Sequence, residues 1–145
     1  MGKLTPYEPG IQPEQLEGSV RRFVHNPDFV HIKGTDQPWL YSCGLIGPLH
    51  MEIPVASAKD KLPARNFRVT LMFCELETPL KPRVFDVLLQ GKPVISHFDI
   101  LAETKVGTPL TKEFTVSASD TLTIELRGQN GAEPLINGII LRAER

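Results

Sequence analysis

The sequence predicts an all-β domain in which two antiparallel sheets pack face to face as a β-sandwich. Three observations predict this fold. Short apolar segments alternate with turn signals, several segments have a side-chain period of two, and no stretch of eleven or more residues has a convincing helical period. The 13 prolines and 11 glycines are spread along the chain and divide it into these segments. A parallel α/β fold is excluded because the crossover helices that it needs are missing.

Length and composition fit one globular domain. The chain has 145 residues, of which 41% are hydrophobic and 23% are charged. The formal net charge is -1, so binding to nucleic acid or to an anionic membrane through overall charge is not expected. The sequence has no apolar run that could span a membrane and no signal peptide at its start. We therefore expect a cytosolic protein or a piece of a larger one.

The N-terminal part of the chain has the weakest structural signal. Residues 1–28 are assigned to a lead-in segment, because the first 20 residues are polar and contain several prolines, and residues 29–145 are assigned to the β-sandwich domain. Phe29–Lys33 is the first predicted strand. Residues 36–50 are expected to form an aromatic loop and no regular element.

The rest of the chain has clearer strand signals. Phe67–Cys74 is the clearest, because every second side chain from Phe67 onward is apolar. Val84–Leu89 and Pro93–Phe98 flank a glycine-containing turn and predict a hairpin. The remaining predicted strands are residues 110–117, Thr121–Arg127 and Leu135–Leu141.

Three polar residues inside the predicted strands are interpreted as structural. Asp86 and Asp99 are expected to accept hydrogen bonds from loop amides or from an arginine. The dipeptide Asn137-Gly138 predicts a bulge late in a strand, with the Asn137 amide bonded to a neighbouring loop.

The common signatures of catalysis and of metal binding are missing. The sequence contains no Gly-x-Ser-x-Gly elbow, no phosphate-binding glycine loop and no His-Glu-x-x-His motif. The histidines and cysteines do not have the spacing of a metal site. We expect no enzyme activity, no metal and no cofactor.

Two pairs of residues leave alternatives open. Cys43 and Cys74 are two apolar thiols, the commoner case, or one disulfide if the loop at Cys43 lies over the end of the central strand. Glu75 and Glu77 share one face if the strand continues. Two carboxylates can serve glycoside hydrolysis, although such a pair is more often a solvated strand end.

From Val69 to Leu141 the chain resembles the malectin and malectin-like domain family. The phrases that carry the resemblance, in order, are Phe73–Leu76, Arg83–Val87, Gln90–Val94, Phe98–Ile100, Lys112–Val116, Leu122–Leu126 and Pro134–Ile139. The resemblance is looser over residues 29–66 and not visible before them. It implies a β-sandwich of the galactose-binding-like, jelly-roll type and a secreted, periplasmic or cell-surface location.

The resemblance also implies a non-catalytic carbohydrate-binding module that holds an oligosaccharide or polysaccharide weakly at loops on one edge of the sandwich. Sugars place their apolar C–H faces on aromatic rings and bond their hydroxyls to planar polar groups. The candidate ligand-binding residues are the rings Trp39 and Tyr41 and the polar residues Glu75, Glu77, Gln129, Asn130 and Glu133.

The chain departs from the family pattern in two loops. Leu76–Leu80 has no aromatic residue where the family's sugar binder has them, and Ala132 stands at the position of its acidic residue. Glu133 could substitute only if the loop shifts, so the diglucose specificity of malectin is not carried over. The alternative is a protein–protein interaction or spacer module on the same scaffold, in contact with neighbouring domains. For the rings Trp39 and Tyr41, the alternative to a ligand platform is burial as packing residues.

Overall fold

The computed structural model describes residues 20–24, 32–33, 35, 40–55 and 63–144. In chain order these residues form β1 (Arg21–Val24), β2 (Cys43–Ile46), β3 (Leu49–Pro54), β4 (Arg65–Phe73), β5 (Val84–Leu89), β6 (Lys92–Asp99), α1 (Ile100–Glu103), β7 (Leu110–Ala118), β8 (Thr121–Gly128), β9 (Leu135–Ile136) and β10 (Gly138–Ala143). No helix in these ranges has the length and apolar character that crossing a bilayer requires.

The described strands form three antiparallel sheets, which confirms the predicted fold class. Their strand orders are β1-β2-β9, β10-β4-β7 and β3-β8-β5-β6. Only Asn137 separates β9 from β10, so the chain passes there from the first sheet into the second. The two smaller sheets therefore meet at this residue, and side chains of all three sheets contribute to one core.

The core is built by the period-two alternation that the sequence predicts. In β4, alternate side chains from Phe67 to Phe73 are buried. At the centre of the core the Phe73, Phe85 and Phe98 rings contact one another, with centroids 4.9 to 6.1 Å apart and tilted or edge-on orientations. Each of these rings comes from a different strand, so the cluster joins the two facing sheets.

The strands predicted from Phe67 to the C-terminus are confirmed, with one division at Asn137. The expectation of a loop at residues 36–50 is wrong for its second half, because β2 and the start of β3 lie there. β3 alternates buried and exposed side chains. It was not predicted because Gly47 and Pro48, directly before it, are strong turn signals that favoured a loop. Its partner is β8, far away in the sequence.

Two N-terminal predictions meet the structure only in part. Ile32 and Lys33 lie outside any strand, and the rest of the predicted strand Phe29–Lys33 lies outside the described residues. β1 falls within the segment 1–28 and pairs with β2, so part of that segment belongs to a sheet. The division of the chain at residue 28 stays a prediction.

A second, smaller apolar cluster covers the outer face of β4 at its C-terminal end. Tyr41, Met72 and Cys74 are buried there, and Ile32 and Leu76 pack against them together with Leu40 and Ile140. Cys43 and Cys74 are both thiols and are not joined. Burial raises the pKa of the Cys74 thiol to about 11, and the nearby Glu75 carboxylate adds to the rise.

We expect Cys74 to react with iodoacetamide at pH 8 at least about tenfold more slowly than Cys43, because the thiolate is the nucleophile. Cys74 is fully buried with a raised pKa, whereas Cys43 is only partly buried. Mass spectrometry of tryptic peptides over time measures both rates. In urea the two rates should become equal, and equal rates in the native protein would contradict the expectation.

Candidate functional site

The strand register places three long connections at one end of the sandwich. Phe73, the last residue of β4, is opposite Leu110, the first of β7, and Val84 of β5 is opposite Asp99 of β6. The connections 74–83 and 100–109 therefore emerge at the same end. Gly128, the last residue of β8, is opposite Phe85, so residues 129–134 emerge there as well. We call these three connections the loop end.

Arg83 ties two of these connections together. Its Nε donates to Oε2 of Glu75 at 2.7 Å, and its Nη1 donates to the carbonyl oxygen of Glu133 at 2.6 Å. The Glu75 side chain is 4% exposed and that of Arg83 is 15% exposed, so water screens this ion pair little. The third connection is joined through a backbone bond from Gly107 N–H to the Glu75 carbonyl at 2.8 Å.

Asn137 joins the segment that precedes β2 to the same end. Its Oδ1 accepts from the Cys74 N–H at 2.7 Å, and its Nδ2 donates to the carbonyl oxygens of Tyr41 at 2.9 Å and Cys43 at 3.1 Å. The predicted role of its amide is thereby confirmed. This side chain bonds three backbone groups at the point where the strand is divided between two sheets.

The two strand aspartates have the structural role that the sequence predicts. Asp86 accepts from the His97 N–H at 2.9 Å and from Gln129 Nε2 at 2.6 Å, which ties the loop 129–134 to the outer face of β5 and β6. Asp99 is the N-cap of α1 and accepts from the Leu101 N–H at 3.1 Å. Both interpretations are confirmed.

Two of the predicted ligand-binding residues are buried. Tyr41 is 7% exposed and packs with Met72 and Cys74, and burial raises the pKa of its phenol. The Glu75 carboxylate is held by Arg83. The structure therefore places both residues under the loop end rather than on its surface.

The other predicted ligand-binding residues lie at or near the surface. Glu77 and Asn130 are exposed, whereas Gln129 and Glu133 are half-buried. Trp39 lies outside the described residues. Because Glu75 is buried in an ion pair and Glu77 is exposed, these two carboxylates do not form an accessible pair for glycoside hydrolysis.

Sequence reasoning did not identify Arg83. The available signal was an arginine directly before the apolar strand Val84–Leu89, in a connection that also contains Glu75. No spacing rule pairs residues across a loop of this kind, since the loop's path decides which charges meet.

We expect Glu75→Gln to lower the free energy of unfolding by about 2 kcal/mol, because a charge-assisted bond from a mostly buried guanidinium becomes a neutral one. Urea unfolding followed by fluorescence measures the change. Glu77→Gln is the matched control and should change stability by less than about 0.5 kcal/mol, because Glu77 is exposed. Equal effects of the two substitutions would show that the pair with Arg83 contributes nothing.

Solved structures of two kinds are similar to this fold. A beta-glucuronidase of Bacteroides uniformis matches with a TM-score of 0.71 and 15% identity, over 86% of this chain and 14% of that chain. The plant receptor-like kinase FER matches with a TM-score of 0.66 and 20% identity, over 86% of this chain and 40% of that chain. The ANX2 ectodomain from Arabidopsis thaliana matches with a TM-score of 0.67 and 13% identity, again over 86% of this chain and 40% of that chain.

The chain thus spans a minor part of each similar structure, and at these identities the likeness shows the fold. A comparison with curated proteins gives no match. The family model of the Malectin domain matches residues 19–139, which include every strand from β1 to β9 and the first residues of β10. The chain belongs to the malectin domain family.

Proposed function

We propose that this chain is a non-catalytic carbohydrate-binding module that holds a glycan weakly at the loop end. The observation that carries the proposal is that hydrogen bonds hold the three connections of the loop end together, and that these connections carry exposed polar side chains. Arg83 bonds the Glu133 carbonyl, Asn137 bonds the Cys74 N–H and Gly107 bonds the Glu75 carbonyl. Glu77 and Asn130 are exposed in these connections. A loop that is ordered before binding loses less entropy when the ligand arrives, which suits a shallow site.

In the proposed site, some residues contact the sugar and others support those residues. Glu77, Gln129, Asn130 and Glu133 supply carboxylate and amide groups for sugar hydroxyls, and Trp39 supplies the ring for an apolar sugar face. Tyr41 and Glu75 support the site from below, in keeping with their burial.

We further propose that the chain acts as one module of a larger extracellular or cell-surface protein. In the similar structures the matching region is about two fifths of a receptor ectodomain or a smaller part of a glycosidase. Neighbouring domains would then lie beside this one.

An NMR titration tests the proposal. The ¹⁵N-labelled chain is titrated with maltose, cellobiose, nigerose and glucuronic acid, and the chemical shifts of its backbone amides are measured. We expect one or more of these sugars to shift amides of residues 75–82 and 129–134 in fast exchange. Asn130→Gly should abolish the shifts and keep the turn, because Asn130 has a φ of 53° that glycine adopts freely. Glu113→Gln on the exposed face of β7 is the control. No shift with any sugar at millimolar concentration would overturn the proposal.

The second candidate function is a protein-interaction module, which two observations favour. Leu80 in the connection 74–83 is fully exposed, and the described residues of the loop end include no aromatic side chain. One similar structure is FER in complex with the plant peptide RALF23 and LLG2. A peptide-array screen separates the candidates. Peptide binding that Leu80→Ser abolishes and Asn130→Gly preserves would favour the protein ligand.

A further inference from the structure

The chain contains the dipeptide Asn-Gly twice, at Asn130-Gly131 and at Asn137-Gly138. Asparagine is a chemically labile residue, and it loses its side-chain amide most readily when glycine follows. Glycine has no side chain to hinder the attack of its own backbone nitrogen on the asparagine side chain. Since both dipeptides have this local chemistry, any large difference between their reactivities comes from the fold.

Asn130 and Gly131 form the tip of an exposed turn at the loop end. Their φ angles are 53° and 79°, and the Ala132 N–H donates to the Gln129 carbonyl oxygen at 2.9 Å, which defines a type I′ turn. Both tip residues are exposed, and a Cβ on Gly131 would have no neighbour within 4 Å. Within the described residues, no hydrogen bond holds the Asn130 side chain or the Gly131 N–H. The tip is therefore free to rearrange, because opening a surface turn of this kind costs little free energy.

The surroundings of Asn137-Gly138 are the opposite. Asn137 is 8% exposed, and its side-chain oxygen and nitrogen make the three bonds described above. Its backbone N–H donates to the Met72 carbonyl oxygen at 2.8 Å, and a Cβ on Gly138 would lie 3.0 Å from the Met72 sulfur. The side chain can turn onto the next backbone nitrogen only after this part of the sheet unfolds, which costs far more than opening a surface turn.

We propose that Asn130 is a site of spontaneous deamidation, which makes the loop end more acidic, and that the fold protects Asn137 from the same reaction. The Gly131 nitrogen attacks Cγ of Asn130, so that a new N–Cγ bond forms and the Cγ–Nδ2 bond breaks. The side-chain nitrogen leaves as ammonia with the proton of the Gly131 N–H. One water molecule then opens the cyclic imide to aspartate or isoaspartate. The reaction replaces an amide with a carboxylate and involves no oxidation or reduction.

The new carboxylate adds a negative charge to a chain whose formal net charge is -1. It arises in the same loop as Glu133, and bonds on both sides hold this loop in place. Gln129 Nε2 donates to Asp86 on one side, and Arg83 donates to the Glu133 carbonyl oxygen on the other. The reaction consumes only water, so it takes place whether or not the loop end binds a glycan.

Incubation of the full chain at neutral pH over several weeks, with tandem mass spectrometry at intervals, tests the proposal. Trypsin releases both asparagines in one peptide, Gly128–Arg142, so fragment ions give both extents of deamidation from the same molecules. A sample digested without incubation gives the amount that forms during digestion. We expect Asn130 to be converted at least about tenfold faster than Asn137 in the native chain.

Asn130→Gln is the matched control. It keeps an amide in the same kind of turn, because Gln90 and Gly91 have φ angles of 53° and 75° in this chain. Glutamine would have to close a larger ring, so residue 130 of this variant should gain no carboxylate in the same time. In guanidinium chloride the Asn137 rate should rise to that of Asn130. Equal rates in the native chain, no gain at Asn130, an equal gain in Asn130→Gln, or a rate difference that persists in the unfolded chain would each overturn the proposal.

Discussion

Phe85→Ala is expected to lower the free energy of unfolding by about 4 kcal/mol. The Phe85 ring is completely buried and contacts the Phe73 and Phe98 rings, at centroid distances of 6.1 and 5.3 Å. Alanine leaves a cavity that the surrounding strands cannot close, because each is held by its ladder. The edge-on ring contacts are lost together with the buried area.

Equilibrium unfolding in urea, followed by circular dichroism, measures this effect. Phe85→Leu retains most of the volume and should cost about 1.5 kcal/mol. Phe114→Ala removes an equal side chain from the half-buried row of β7 and should cost clearly less than Phe85→Ala. A similar loss for the two alanine variants would show that the ring cluster is not the centre of the core.

Asn137→Ala is expected to cost about 3 kcal/mol or more. It removes every partner that this side chain supplies to the Cys74 N–H and to the carbonyl groups of Tyr41 and Cys43. Each buried polar group without a partner costs about 1–3 kcal/mol. Asn137→Asp should be destabilising as well, because a carboxylate cannot donate to the two carbonyl groups.

Thermal unfolding and amide hydrogen exchange measure the effect of Asn137→Ala. We expect faster exchange at Cys74 and in residues 41–47, since this amide joins them to the sheet. Asn66→Ala replaces an exposed asparagine of β4 and should leave both measurements nearly unchanged. Unchanged exchange at Cys74 in the Asn137 variant would contradict the bridging role.

The site was predictable only where one residue's own surroundings decide its role. Asp99 caps the helix turn that directly follows it, and Asn137 precedes a glycine in an apolar strand, so both were recognised as structural. For Tyr41 the sequence left open a ligand platform or a buried packing residue, and Glu75 was not recognised as buried. Their burial depends on Asn137 and Arg83, and the bond from Asn137 to Tyr41 spans 96 residues of sequence.

Alternation of apolar and polar side chains, turn residues and the missing helical period are properties of neighbouring residues. Together they were enough to predict the strands from β4 to β8, the segment of β9 and β10 as one strand, and the sandwich that these strands form. The register between strands that are distant in the chain decides which loops lie close together. β3 is identified as a strand by its pairing with β8, and Arg83 is identified as a bridging residue by its bonds to Glu75 and to the Glu133 carbonyl. Those pairings depend on how all the strands pack together around one core. A single stretch of sequence does not determine them, because the contacts involve residues that are distant in the chain.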